Sequence, residues 1–263
     1  MDIIEAIKKR RSVRTYDDRP LSDSDRKAVE EAISSATTPF SGEITLRLVS
    51  VGEGQEFRPS TYGVIKGARD FLLLALDDAD ASALKGGYVA EEVILKATEL
   101  GLGTCWMTGT FQSSSFETAT DFPAGQKLTA VIPIGYPEGE RLLGRVMRSF
   151  VGASKRKPLG DMFFMNNFET PLPETGPFGK ELAMMRLAPS AKNRQPWRAL
   201  VRGNQVDFYC RDKSRSVLLD MGIGLSHFAL TAEAENVVGS FAPNDFPVLD
   251  PTGADYLISF IQA

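Results

Sequence analysis

The apolar positions of the chain change period several times, and each change marks an element. Ile3, Ile4 and Ile7 share one face of a short helix over residues 2–10. Val29, Ala32, Ile33 and Ala36 repeat at helical spacing behind Ser22, which predicts a second helix with a serine N-cap. Residues 44–51 alternate as in a half-buried strand. Residues 71–76 form a continuous apolar run, the mark of a strand covered on both faces. A long helix follows over 87–100, stopped by Gly101. A buried strand over 128–134 ends at Gly135-Tyr136-Pro137. Residues 138–177 show no period and read as an irregular connection.

Behind that connection the same order returns in compressed form. A helix is predicted over 180–187. Strands over 197–201 and 205–210 are joined by Arg202-Gly203-Asn204, a hairpin signal. A helix over 220–237 and a last strand over 256–261 complete the run. Matching by element pairs 22–36 with 180–187 and 130–134 with 257–261. Identity between the two runs is low, so the repeat rests on order and pattern. The expected fold class is α+β, with mixed, mainly antiparallel sheets flanked by helices. The chain divides into two related halves, residues 1–160 and 161–263.

Composition narrows the field. The 263 residues are enough for a large core. A net charge of -4 opposes a nucleic-acid partner, which needs a basic face. No apolar run is long enough to span a bilayer, and the start Met1-Asp2-Ile3-Ile4-Glu5 is not a secretory leader, so a cytoplasmic protein is expected. Cys105 and Cys210 are too few for a disulfide framework or a thiolate cage. His227 is the sole histidine, which excludes a multi-histidine metal site. No metal is expected.

Two motifs carry candidate chemistry. Arg10-Arg11-Ser12-Val13-Arg14 follows the first helix; guanidinium groups match phosphate oxygens in a bidentate way, although the three arginines cannot all point one way. Alone, such a run reads first as a solvated basic helix end that complements the helix dipole. Pro189-Ser190-Ala191-Lys192-Asn193-Arg194-Gln195-Pro196-Trp197 is more specific. Its prolines stiffen the backbone and its Ser and Asn offer hydrogen bonds, as suits a loop lying against a planar ligand. Its bland alternative is a helix-to-strand connection with Trp197 in the core.

The second motif resembles the FMN-contacting loop of the nitroreductase family. Four other segments are similar to the same family, all in the first half: residues 10–22 (RRSVRTYDDRPLS), 101–109 (GLGTCWMTG), 134–137 (IGYP) and 155–159 (KRKPL). The family loop is missing from its usual place, where Pro39-Phe40-Ser41-Gly42-Glu43 stands. It occurs only in the second half, which lacks both the arginine segment and the basic tail. In ordinary members two identical subunits share each flavin, and the partner supplies this loop. The pattern therefore resembles a fused dimer, like nitroreductases first seen in thermophiles, with one site kept and its symmetry mate decayed.

The resemblance implies FMN as cofactor and NADH or NADPH as electron donor. Arg10, Ser12, Lys155 and Lys157 would hold the phosphate, and Arg11 would also belong to the cofactor-binding set. Arg14 would approach the pyrimidine side of the ring, and Thr108 and Gly109 would face flavin N5. Pro189, Ser190 and Asn193 would pack on the flavin from the other half. No catalytic residue is implied, because hydride transfer occurs at the flavin. The implied reaction passes electrons to a nitroaromatic, quinone or similar small acceptor. Flavin fragmentation, dehalogenation, or flavin binding without turnover are alternatives on the same fold. The implied state is a functional monomer, with further dimerisation left open. Outside these motifs, His227 reads as a substrate-facing proton donor or a packed imidazole, and Cys105 as a buried, inert thiol.

Overall fold

The structure is a computed structural model and describes residues 1–51, 59–117, 121–138 and 155–263. Helix α1 (Ile3–Lys9) is capped by Asp2, whose carboxylate accepts the Glu5 N–H at 2.8 Å. Helix α2 (Asp23–Ser35) is capped by Ser22, as its sequence predicts, with Oγ accepting the Asp25 N–H at 3.2 Å. Strands β1 (Ile44–Ser50) and β2 (Asp70–Leu76) pair antiparallel, and every residue of β2 is buried. Helix α3 (Asp80–Glu99) ends at Gly101, whose φ of 81° reverses the chain at no steric cost. Strand β3 (Gly103–Thr104), helix α4 (Ser113–Glu117) and strand β4 (Lys127–Gly135) complete the first half, whose sheet has the order β1-β2-β4-β3.

The second half begins with β5 (Phe163–Met165) and α5 (Gly179–Leu187). Strands β6 (Trp197–Arg202) and β7 (Gln205–Cys210) form the expected hairpin, turned at Gly203 with φ 60°. Helix α6 (Arg215–Ala234) and strands β8 (Gly239–Ala242) and β9 (Asp255–Gln262) follow. The sheet order is β5-β6-β7-β9-β8. Apart from β5, which adds in parallel to β6, this repeats the strand order and antiparallel pairing of the first sheet. The fold is α+β with mixed sheets and helices, as expected.

Several boundaries differ from the pattern. Strand β5 lies inside the stretch read as irregular; the part of that stretch over 139–154 falls outside the described residues. Strands β3 and β8 are too short to show a period, at 2 and 4 residues. Helix α3 begins at Asp80 rather than at 87, and α6 at Arg215 rather than at 220. In α3 the polar start and the Gly86-Gly87 pair hid the first two turns.

Those glycines have a packing reason. Helices α3 and α6, each of 20 residues, cross in backbone contact. A Cβ on Gly87 would sit 2.1 Å from the Leu219 carbonyl oxygen, and one on Gly222 would sit 2.0 Å from that of Leu84. The contact is reciprocal: Gly87 meets Leu219 and Ile223, while Gly222 meets Leu84 and Tyr88. One constant sequence offset relates Gly87 to Gly222, Leu84 to Leu219 and Tyr88 to Ile223, so a local two-fold axis passes through the crossing. The cores interleave there too. Leu84 and Tyr88 enter the second half's core, and Leu218 and Leu219 enter the first's. The cores under the two sheets therefore meet at this crossing.

Candidate functional site

A cavity of about 460 Å³ opens beside this crossing, within the usual range for small-molecule sites. Its floor is Leu219, Asp220 and Ile223 of α6. Arg10, Ser12 and Arg14 line one side, residues 105–110 another, and Arg156 with residues 189–193 the third.

The arginine segment sorts itself by backbone period. Residues 10–16 run extended, with Ser12 bridged to Thr104 and Thr15 to Lys66. Alternate side chains of an extended chain face opposite ways. Arg10, Ser12 and Arg14 therefore share the cavity face. Val13 turns to pack against Gly103, and Arg11 is exposed and away from the cavity. Arg10 is buried, and its Nε has no hydrogen-bond partner among the described residues; Glu91 Oε1 lies 3.7 Å from it. A buried guanidinium N–H left this way is an opening for an anion.

The basic tail also differs in detail from expectation. Neither Lys155 nor Lys157 lines the cavity; the residue between them, Arg156, does. Its Nη1 donates to Asn193 Oδ1 at 3.2 Å and its Nη2 to the Leu187 carbonyl at 2.9 Å. Burial lowers the Arg156 pKa, and nearby Arg10 and Arg186 lower it further. Cations so placed favour an anion between them. Lys155 contributes its carbonyl, which accepts from Asn193 Nδ2 at 2.8 Å, and its side chain is exposed. The Lys157 ammonium donates to the Arg194 and Gln195 carbonyls at 2.7 and 3.1 Å, bracing the loop from outside.

The 189–195 loop is built from its own polar groups. Ser190 Oγ accepts the Gln195 N–H at 2.9 Å, and Gln195 Oε1 accepts the Lys157 N–H at 2.9 Å. Lys192, Asn193 and Gln195 all hold positive φ, between 50° and 53°. Pro189, Ser190 and Asn193 reach the cavity, whereas Trp197 is core. Opposite them, Thr108 and Gly109 are exposed at the rim, and the space beside the Gly109 Cα is open. Cys105 also lines the cavity, but burial raises its thiol pKa against the opposing effects of Arg14, Ser12 and Arg10, as suits an inert thiol.

Sequence reasoning missed Asp220 and the helical floor, and it placed Arg156 and Trp106 only within the segments 155–159 and 101–109, with no role of their own. His227 does not face the cavity. It is wholly buried, with Nδ1 3.1 Å from the Met184 carbonyl and Nε2 2.9 Å from Glu91 Oε1. Glu91 Oε2 in turn accepts the Trp106 indole N–H at 2.6 Å. The Met184 carbonyl can only accept, so the contact at Nδ1 is a hydrogen bond in the tautomer that carries its proton there. Among the described residues no cluster of three or more His, Cys, Asp or Glu could hold a metal, and no helix is long and apolar enough to cross a membrane.

Residues 2–232 match the family model described as "Putative TM nitroreductase". The chain belongs to the nitroreductase family. Its fold is also that of a crystal structure described as a "putative nitroreductase" from Thermotoga maritima, at TM-score 0.64 and 22% identity, over 100% of this chain and 94% of that one. An FMN-dependent nitroreductase of Clostridium difficile aligns at TM-score 0.44 and 22% identity, over 52% of this chain and 89% of that one. A Bacteroides fragilis nitroreductase with bound FMN aligns at TM-score 0.43 and 20% identity, over 54% and 92%. No curated protein is similar enough to match. Membership in that family places the chain among oxidoreductases, and its cavity draws walls from residues 10–14, 105–110 and 189–193, which lie far apart in the sequence.

Proposed function

We propose that the chain is an FMN-dependent oxidoreductase that takes electrons from NADH or NADPH and passes them to a nitroaromatic, quinone or similar small acceptor. One observation carries the reading. The arginine segment and the Pro-Ser-x-x-Asn loop, at opposite ends of the sequence, line one cavity. FMN bound there would accept and release electrons at its ring. Arg10, Ser12 and Arg156 would hold its phosphate; the Arg10 guanidinium lines the cavity, and its only ion pair among the described residues, to Glu91 at 3.7 Å, is too long for a hydrogen bond. Arg14 would neutralise charge on the pyrimidine side; a fixed cation there favours the reduced form. Thr108 and Gly109 would lie at the ring edge, and Pro189, Ser190 and Asn193 would cover it from the second half. Lys155 and Lys157 would act through the loop they brace, and Arg11 would add long-range charge only.

We further propose that residues 1–160 and 161–263 descend from a fused subunit pair and that, of its two symmetry-related flavin cavities, the one lined by Arg10 and Asn193 remains. The repeated strand order and the reciprocal glycine crossing support this. So does the counterpart position. The offset that relates Gly87 to Gly222 relates Lys85, Tyr88 and Trp106 to Asp220, Ile223 and Phe241. On that side Phe40 packs 5.5 Å from both Tyr88 and Phe241, and the Lys85 ammonium donates to the Gly42 carbonyl at 2.9 Å. Aromatic rings occupy what the opposite side leaves open.

The test is an FMN titration followed by flavin fluorescence, then anaerobic mixing with NADH or NADPH. The expected result is saturation at one FMN per chain and bleaching by a nicotinamide. Arg14→Ala and Asn193→Ala should each weaken FMN binding. A protein that takes up no FMN defeats the reading, and weakening by only one of the two variants defeats the shared cavity.

A further inference from the structure

The loop from Pro189 to Gln195, whose first five residues wall the cavity, is held in a conformation that Lys192 and Gln195 do not favour. Lys192, Asn193 and Gln195 all lie in the left-handed region, and none is glycine. Asparagine tolerates that region, but lysine and glutamine clash there with their own backbone, so such a loop persists only where its surroundings fix it. The counterpart loop solves the same problem differently, with a glycine, Gly42, at φ 109°.

On the cavity side the fixing group is a carboxylate. Asp220 is 4% exposed and lies in the cavity floor, one turn before Gly224 on α6. Both of its oxygens face the Ala191 N–H, at 3.0 and 3.1 Å. Ala191 opens the short turn that contains Lys192 and Asn193. At the counterpart position Lys85 replaces the acceptor with a donor and grips a carbonyl instead. The same helical position thus meets the facing loop on both sides, with opposite polarity.

We propose that Asp220 is the positioning residue for the Pro189–Asn193 wall: its carboxyl group fixes the Ala191 N–H and so keeps Ser190 and Asn193 turned towards the cavity. For its effect on ligand binding, the proposal rests on the flavin reading above. The bond is also proton-sensitive. Burial raises the Asp220 pKa to about 7, against the opposing effects of the Ala191 N–H and Arg194. Arg10, Arg14, Arg156, Lys192 and Cys105 share the cavity with it. Across the crossing, α3 brings Lys85, already on Gly42. On α6 itself, Arg215 is bonded to the Asp77 and Ala79 carbonyls and His227 to Glu91. An ionised carboxylate accepts an N–H more strongly than a neutral carboxyl group. The wall should therefore tighten as pH rises through neutrality.

Two variants and two readouts test this on the full chain. Hydrogen exchange of residues 189–195 is followed without ligand, near pH 6 and near pH 8, and FMN affinity is measured in parallel. Asp220→Ala should speed exchange at Ala191 and weaken FMN binding by roughly tenfold or more, the weight of one hydrogen bond to a charged group. Asp220→Asn keeps an acceptor, so it should restore both. It should abolish the rise in Ala191 protection, relative to intrinsic exchange, that the unaltered protein shows between the two pH values. Wild-type exchange in Asp220→Ala overturns the proposal, as does a pH-dependent rise that survives in Asp220→Asn. If Asp220→Ala does not fold, the Asp220→Asn profile decides alone. If exchange behaves as expected and no form takes up FMN, positioning stands and the flavin reading fails. If all forms bind FMN equally while exchange at Ala191 is unaltered, the reverse holds.

Discussion

Replacing Gly87 by Ala measures how closely the two halves are joined. In an ordinary exposed helix interior the change stabilises by about 1 kcal/mol, because alanine loses less backbone freedom. Here the added methyl would lie 2.1 Å from the Leu219 carbonyl oxygen and 3.1 Å from the Ile223 nitrogen. Both contacts are with backbone, so no side chain can swing aside. A carbon and an oxygen rest at a little over 3 Å, so the helices must part by about 1 Å. That separation loosens Leu84, Tyr88, Leu218 and Leu219, which pack across the crossing. Overpacking of this kind costs about 3 kcal/mol at the upper end of its usual range, leaving a net loss of about 2 kcal/mol. For a chain of this size that corresponds to a fall in melting temperature of about 4–8 °C. Gly222→Ala should behave alike, since its methyl would meet the Leu84 carbonyl oxygen at 2.0 Å. The double variant should lose less than the sum, because the first substitution already parts the helices. Thermal and urea unfolding of the three variants give the numbers. A Gly87→Ala protein more stable than its parent would refute the backbone contact, and strict additivity would refute the shared crossing.

The buried Glu91–His227 pair should be the costliest single contact between the halves: Glu91→Ala strands a wholly buried imidazole and the Trp106 N–H, and should lose about 3–5 kcal/mol in urea unfolding, whereas Glu91→Gln keeps polar partners and should lose much less. A loss below about 1 kcal/mol in Glu91→Ala would show the pair to be dispensable. Glu92, its neighbour, has its pKa raised to about 7 by burial and then by Glu233. The folded state therefore holds this proton more tightly than the unfolded chain, and Glu92 withdraws stability as pH rises from about 4.5 to about 7. Glu92→Gln should leave stability near pH 4 unchanged and raise it near pH 8 by about 1–2 kcal/mol, discounting the full shift for partial exposure. An equal effect at both pH values would contradict the assignment.

Much of this was legible in the chain because local chemistry and tertiary structure agree. Ser22 caps a helix and Gly101 ends one, since those residues solve local backbone problems wherever they stand. The alternation of Arg10, Ser12 and Arg14 selects the cavity face once the segment is known to be extended. That knowledge is tertiary, because the bridge to Thr104 lies far along the chain. For the same reason Arg156 escaped notice between two lysines of equal charge: only the tail's path decides which cation turns inwards. Asp220 reads as one polar residue in an apolar helix, and its meaning appears only when Ala191 comes within 3.0 Å. The Gly86-Gly87 pair misleads for a physical reason. Glycine lowers helix propensity, so the pattern predicts a late start, whereas packing against α6 compensates and the helix begins at Asp80.

Under the fused-pair reading, asymmetry across the crossing has an energetic logic. Two identical subunits must build two identical cavities, because every substitution appears twice. Once the halves share a chain, each wall can change alone. An open cavity is expensive to keep. It holds the buried Arg10 and Asp220 and a loop with three left-handed residues. The opposite side has moved the other way, setting Phe40 against Tyr88 and Phe241 and giving the tight turn a glycine. Each such ring pair contributes roughly 0.5–1.5 kcal/mol beyond its burial. The closed side therefore helps to offset the strain of the open one, through helices whose cores interleave. Two equivalent cavities would double the strain and forgo that compensation, so loss of the second is what selection for a stable chain with one working cavity would favour.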